Sequence, residues 1–492
     1  MGLIGKPLSL ARRLGWPRLA MGAVLALGLG LRVAVLATPM GMLDSDEAVV
    51  GLMGRHILQG EFPVFFWGQF YGGSQEAMLA ASGFALLGSS TLVLKLVPLL
   101  LDAVATALVW RLGLRTVGPR RAMAAAALFW IWPATFVWWS TKERGFYWIC
   151  MVAGLAMLLF AMRLAERPDR RREWIWLGLS AGVGWWASPQ VGFFLLPACL
   201  FLVIRAPRAL RWAPLGVAAA LVGAAPWLVF NLTHSWASFD VPPYLRRGSY
   251  LEHLGIFFSR GLPMALGLRV PYTEAWVMPV VAEAIYAAVV VALLVAVGRR
   301  RRGLGLVLLV VAAFPFLHAL SPGSQSVGEG RYYLYLAPAL ALVLVSVVTS
   351  RPVAAGLVGA WLSVTSFGLV ALVTASVQRA PDVPIPASMT SLISTLHDHQ
   401  ARYVLADYWI AYRLSFESGE KVIATSTTTM RYQPYDSVVR ASARPAWVFV
   451  EGSRTEIHFR RALIRLKVRY ERVRRGGFVL YFPARRILPR EL

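Results

Sequence analysis

Charge is scarce in this chain of 492 residues: only 15% are Asp, Glu, Lys or Arg, against about 25% in a soluble domain. With 57% hydrophobic residues, that deficit excludes an ordinary soluble globule and points to a polytopic membrane protein. Cysteine is nearly absent. Cys150 and Cys199 both lie inside apolar runs, so no disulfide framework supports the fold. Asn231 is the only asparagine, and Arg far outnumbers Lys, the bias of a GC-rich bacterial genome. The sequon Asn231-Leu232-Thr233 is inert in such a source. No small-residue cleavage site follows the first apolar run, as a removable signal would require. Repeats, heptads and low-complexity tracts are also missing. Acid is the rarer sign of charge, 25 residues against 50 basic ones. A net charge of +25 would suggest nucleic acid in a soluble protein. Here much of the Arg excess sits in short loops between apolar runs, where it reports topology, and no nucleic-acid partner is implied.

A membrane span needs about 20 apolar residues. Eleven candidates can be counted: 17–37, 91–113, 120–139, 146–165, 173–188, 190–205, 212–230, 273–298, 304–320, 332–350 and 353–376. Pro189 splits 173–206 as a helical hairpin would be split. Alternate connections are basic: Lys6, Arg12, Arg13 and Arg18; Arg111, Arg115, Arg120 and Arg121; Arg163 to Arg172; Arg205, Arg208 and Arg211; Arg299 to Arg302; Arg351. The positive-inside rule then makes the N-terminus cytoplasmic. Residues 38–90 become the first outer loop, and an odd number of spans puts the tail outside.

The tail is a different material. Pro381, Pro384 and Pro386 mark a linker. Strand-like runs follow at Tyr403–Ala406, Val422–Ala424, Trp447–Val450, Val468–Val473 and Phe478–Phe482, with helix-like segments at Tyr408–Glu417 and Glu456–Leu466 between them. The fold class expected is therefore mainly α: a transmembrane helical bundle over 1–379 and a small extracytoplasmic α/β domain over 380–492. Its basic face suits anionic lipid headgroups.

Against this acid-poor background, Asp44-Ser45-Asp46-Glu47 sets three carboxylates within four positions just after the first apolar run. Val49, Val50, Met53 and Ile57 continue at helical spacing, which predicts an amphipathic helix on the membrane surface. One reading of the acids is structural, with Asp44 as N-cap and Glu47 at the third helical position in a capping box. Three acids exceed what capping needs and cost desolvation; a carboxylate held at a rigid helix start is also placed to take a proton from a hydroxyl. An aromatic stretch, Phe62 to Tyr71, comes next and suits an interfacial belt. Gly72-Gly73 permits a tight turn, and Glu76 opens another apolar helix. Asp102 is the main ionisable group inside a span, either a functional acid or the partner of a neighbour such as Arg32. His318 and Glu283 near outer helix ends read as structural.

Arg32, Asp46-Glu47-Ala48, Gly54-Arg55-His56-Ile57-Leu58 and the run Tyr71 to Glu76 form an ordered series. The series resembles the first outer loop of GT-C membrane glycosyltransferases, in the protein-mannosyltransferase and aminoarabinose-transferase branch. Lys142-Glu143-Arg144-Gly145-Phe146-Tyr147 resembles that family's second-loop motif, and Glu329-Gly330-Arg331-Tyr332-Tyr333 its late span entry. The tail segment Arg402 to Ile423, including Ala406 to Leu414, looks like the outer-face domain of some relatives. The resemblance implies a GT-C fold with Asp46 as catalytic base and Glu76 as companion carboxylate beside Glu47. Arg331, Arg144 and Lys142 are then candidates for the donor phosphate, and Asp44, Arg55, Tyr71, Tyr332 and Asp102 are supporting residues. One departure is plain. Ala77-Met78 stands where the family usually has Lys-Pro-Pro, so the phosphate contact must come from elsewhere.

The chain shows neither a glycine-rich phosphate loop before a soluble helix nor a sizeable cytoplasmic domain, so a nucleotide-sugar donor has no obvious seat. The expectation is sugar transfer from a polyprenyl-phosphate donor to a glycan, lipid or protein hydroxyl, inverting, at the outer face of a bacterial inner membrane. A divalent cation on Asp44 and Asp46 is left open. The alternatives are a transporter or lipid flippase, or a non-catalytic envelope-assembly protein. Transporters concentrate charge at midplane on broken helices in repeated halves, whereas this chain concentrates acids in one loop.

Overall fold

The computed structural model describes residues 16–240, 248–299, 302–325, 327–348, 350–375, 379–380 and 382–492. Lys6, Arg12, Arg13, Arg300, Arg301 and Pro381, used above for topology and the linker, lie outside them. The chain divides into two compact units. One comprises Met1–Ala37, Pro98–Thr141 and Tyr147–Ser376; the other comprises Thr38–Val97, Lys142–Phe146 and Val377–Leu492.

The first unit is helical. Among the described residues, five helices are long and apolar enough to cross a bilayer: Leu19–Leu36, Thr91–Thr116, Tyr147–Glu166, Pro279–Gly298 and Pro352–Thr374. The other expected spans are shorter or broken. Pro133 interrupts 120–139 between the helices Pro119–Trp130 and Ala134–Trp139. Pro189–Arg205 and Pro207–Gly223 together are apolar enough but bend by 117°, at the loop expected between 190–205 and 212–230. Each break falls at a proline, which supplies no N–H to the helical ladder. The hairpin expected around Pro189 is present, with helices Arg171–Ala187 and Gly192–Arg205 on either side of a single turn. Helix 171–187 packs on helix Ala213–Gly223 through Gly178 and Gly182, where a Cβ would collide with the carbonyls of Gly216 and Ala220. Small residues at such crossings allow close backbone approach where lipid provides no hydrophobic drive.

Asp102 finds the partner suggested for it. Arg32 donates from Nη2 to Asp102 Oδ2 at 2.5 Å and to Trp130 O at 3.0 Å. Its Nε reaches Ser140 Oγ at 2.8 Å and Nη1 reaches Gly28 O at 2.8 Å. The guanidinium lies 4.0 Å from the Trp130 ring centroid. A buried charge is tolerable when it is paired and hydrogen-bonded, and all three guanidinium nitrogens of Arg32 donate here.

The second unit contains the loop helices Ser45–Leu58 and Gln75–Leu87 and the C-terminal α/β domain. The surface helix expected after Asp46 is instead enclosed. Ala48 and Leu52 are as buried as Val49, Val50 and Met53, because the helix packs against both Gln75–Leu87 and Tyr408–Glu417. The C-terminal strands are β1 (Arg379–Ala380), β2 (Val383–Pro384), β3 (Tyr403–Ala406), β4 (Ile423–Ser426), β5 (Ala446–Val450), β6 (Tyr470–Arg475) and β7 (Phe478–Pro483). Five of them form a sheet in the order β4-β3-β5-β7-β6. β3 runs parallel to β4 and β5, with Leu405 opposite both Thr425 and Trp447, while β7 is antiparallel to β5 and β6. Helices Thr390–Asp398 and Gln433–Ala441, not foreseen in the sequence, complete the domain with Tyr408–Glu417 and Arg454–Arg465.

Candidate active site

Asp44 has extended backbone (φ −110°, ψ 175°) and caps the helix Ser45–Leu58. Its Oδ1 accepts from Glu47 N at 3.1 Å, while Asp44 N donates to Glu47 Oε2 at 3.3 Å. The capping box is real, but both carboxylates also have cationic partners. Arg144 grips Asp44 with two bonds, Nη1 to Oδ1 at 3.1 Å and Nη2 to Oδ2 at 2.6 Å. Lys142 Nζ lies 3.3 Å from Asp44 Oδ2 and 2.9 Å from Glu47 Oε2, and donates to Met42 O at 2.7 Å. Lys95 Nζ reaches Glu47 Oε1 at 2.5 Å, and Glu143 N donates to the same oxygen at 3.1 Å. Burial alone would raise the Asp44 carboxyl. Arg144, then Lys142 and Lys95, outweigh it and hold the group well below the usual carboxylate range.

Asp46 differs from its neighbours in exposure. Its side chain is 20% accessible, whereas those of Asp44 and Glu47 are fully enclosed. Arg144 Nη1 donates to its Oδ2 at 2.7 Å. Its Oδ1 accepts from the Tyr408 hydroxyl and lies 3.7 Å from Arg431 Nη2. One guanidinium thus spans Asp44 and Asp46, the two positions considered for a cation. Among the described residues no group of three or more His, Cys, Asp or Glu has metal-holding geometry.

Glu76 opens the helix Gln75–Leu87 and is fully buried, as is Glu143. The two carboxyls are hydrogen-bonded. Glu143 is raised well above the ordinary glutamate range, by burial first and by Glu76 second. Two enclosed carboxyls in contact share one proton, because both charges cannot be solvated there. Glu143 also accepts from Gly145 N at 2.9 Å, which fixes the turn that carries Arg144.

The remaining candidates fall into two places. In the second unit, Arg55 donates to Ser89 Oγ at 2.7 Å, lies over Phe416 and approaches Glu420 at 3.8 Å. His56 bonds Glu61 at 3.1 Å and Glu420 at 2.9 Å, so the loop helix and the C-terminal domain meet through a charged network. The aromatic stretch divides: Phe65, Phe66 and Trp67 are buried, whereas Phe62, Phe70 and Tyr71 are exposed. The Gly72 turn closes a small hairpin, pairing Phe65 with Gly73. In the first unit, Arg331 pairs with Glu329 and lies over Tyr332 at 5.0 Å from the ring centroid. Lys95, Glu143, Tyr408 and Arg431 are the site residues to which sequence reading assigned no role. Tyr408 stood within a quoted motif; nothing local to Arg431 marks it.

Residues 76–230, less than half of the chain, match the family model described as dolichyl-phosphate-mannose-protein mannosyltransferase. The match begins at Glu76, after the Asp44–Glu47 cluster. Among solved structures, apo ArnT from Cupriavidus metallidurans is 14% identical, covering 94% of this chain and 98% of that one with a TM-score of 0.61. The same protein bound to undecaprenyl phosphate gives 15%, 93%, 97% and 0.62. The apo oligosaccharyltransferase of Archaeoglobus fulgidus gives 12%, 91%, 71% and 0.51. A search of curated proteins gives no match. The fold is therefore that of ArnT, a mainly helical body with a small C-terminal α/β domain.

Proposed function

We propose that the protein is an integral-membrane glycosyltransferase. It moves a sugar from a polyprenyl-phosphate donor to an acceptor hydroxyl at the outer face of a bacterial cell membrane, with inversion. The observation that carries this reading is the partial exposure of Asp46 inside an otherwise enclosed charge cluster, in a chain with the fold of ArnT. Three carboxylates (Asp44, Asp46, Glu47) face three cations (Lys95, Lys142, Arg144). Such a preorganised array holds the one accessible carboxylate in a fixed position. In the transfer step Asp46 takes the acceptor O–H proton as the acceptor oxygen bonds to the anomeric carbon. The bond from that carbon to the phosphate oxygen breaks, and its electron pair leaves with the lipid phosphate. A phosphate leaving group needs no protonation, so a single base is enough, and one displacement inverts the centre.

Lys142 is fully enclosed, its ammonium held by three oxygens, which favours a structural role for it. Arg144 is likewise held by three carboxylate oxygens, whereas Arg331 is 25% exposed, so Arg331 is the better cation for the leaving phosphate. The outer-face assignment rests on the alternation of Arg-rich loops. Purified protein in liposomes, given a polyprenyl-phosphate sugar and a hydroxyl acceptor, should yield product of inverted anomeric configuration. Movement of the lipid across the bilayer without sugar transfer would make the protein a flippase instead. Impermeant labelling of single cysteines at positions 60 and 169 in intact cells should modify only the first.

A further inference from the structure

The C-terminal domain supplies two side chains to Asp46. β3 ends at Ala406 and Tyr408 opens the helix that follows; β4 ends at Ser426 and Arg431 stands in the connection after it. The chain leaves β3, returns as β4 on one flank and continues as β5 on the other. In open parallel sheets such a reversal opens a crevice at the carboxyl ends of the strands, where ligands are met. Tyr408 occupies that edge, and its hydroxyl donates to Asp46 Oδ1. Arg431 Nε donates to the phenol oxygen at 3.1 Å, and Nη1 donates to Gln69 Oε1 at 3.1 Å. The Arg431 backbone N–H is held by Tyr412 Oη at 2.5 Å. Gly68 lets the loops meet: a Cβ there would stand 2.8 Å from Arg431 Cα. The phenol is therefore anchored from its own helix, from Arg431 and from the acid it touches.

A base must present a lone pair within hydrogen-bond reach of the hydroxyl it activates. On Asp46, Oδ2 is taken by Arg144, and Oδ1 is taken by a hydroxyl of the chain itself. We propose that the Tyr408 phenol occupies the acceptor-hydroxyl position on Asp46 Oδ1 until the acceptor displaces it. This inference rests on the reading of Asp46 as the base. Burial and the neighbouring Asp46 push the phenol proton affinity up, so Tyr408 remains a donor throughout the working pH range. The charged groups around it are Asp46, Arg431 and, through Asp46, Arg144. The consequence is chemical. With the phenol in place a water must compete for Asp46 Oδ1; with it removed, water gives its proton to Asp46, its oxygen bonds the anomeric carbon, and the lipid phosphate leaves, so the donor is hydrolysed without transfer.

Tyr408→Phe keeps the ring and removes the hydroxyl. Donor hydrolysis without acceptor should rise about three- to tenfold, and acceptor KM should fall by a similar factor with no loss in kcat, the size expected for one net hydrogen bond. Arg431→Gln, which loosens the phenol without deleting it, should move both quantities the same way by less. Adding Asp46→Asn to Tyr408→Phe should abolish the gained hydrolysis. Unchanged hydrolysis and KM in Tyr408→Phe, or a fall in kcat at constant KM, would overturn the proposal. Normal transfer in Asp46→Asn alone would instead sink the base reading, so the two failures are distinguishable.

Discussion

Asp46→Asn separates the structural and chemical readings of the loop acids. Asparagine caps and hydrogen-bonds nearly as well as aspartate but cannot take a proton. Its structural cost can be judged from the contacts. Asp44, not Asp46, is the N-cap, and Arg144 retains both of its bonds to Asp44 at 3.1 and 2.6 Å. What is lost is one of the two acceptor oxygens and the charge that Arg144 and Arg431 face, on a group 20% exposed, worth about 1–3 kcal/mol. Loss of a positioned base costs about 10²–10⁴-fold in rate, or about 3–5 kcal/mol in the barrier. The assay pairs initial rates on a polyprenyl-phosphate sugar with thermal unfolding followed by tryptophan fluorescence. The expected result is a small shift in melting and a collapse in turnover. Turnover within about threefold of wild type, with Asp46→Ala merely less stable, would refute the reasoning and return Asp46 to a structural role.

Lys142→Met should destabilise the protein by about 3–5 kcal/mol, because Asp44 and Glu47 lose a buried counter-charge; a variant that melts like wild type would show that the cluster is held by Arg144 and Lys95 alone. Arg331→Gln should weaken donor use by about 2–5 kcal/mol while sparing acceptor KM, with Arg331→Lys restoring only part; unchanged donor kinetics would remove it from the site. The Glu143 carboxyl is raised by burial and by Glu76, so the folded state holds its proton more tightly than the unfolded chain, where glutamate titrates near about 4.3. That stabilisation is complete below the unfolded value and is lost as pH rises through the folded one. Glu143→Gln should therefore melt with wild type near about pH 4 and above it at about pH 9; an equal difference at both would disprove the shared proton. Asp44 has the opposite sign. Its depressed carboxyl stabilises above about 3.9, and that contribution fades as pH falls through the folded value.

Much of the class, and the local geometry of the candidate site, was readable because those features are local in the chain. The shortage of charge fixed a membrane protein, and a helix start leaves Asp44 and Glu47 where a capping box must lie. The helix Tyr408–Glu417 was read to the residue, since its periodicity survives packing. Other features depended on partners far along the chain. The loop helix reads as amphipathic by itself, yet it is enclosed, because Tyr408–Glu417 covers the side that sequence alone leaves open. The span counted by hydropathy over 120–139 broke at Pro133, where a window of apolar residues carries no information about a bend. Three adjacent carboxylates look equivalent in sequence. Burial made them unequal: Lys95, Lys142 and Arg144 enclose Asp44 and Glu47 and leave Asp46 partly open. Arg431 carries no local signal at all. Its place beside Asp46 follows from strand order and from the close approach at Gly68, which only the folded chain creates.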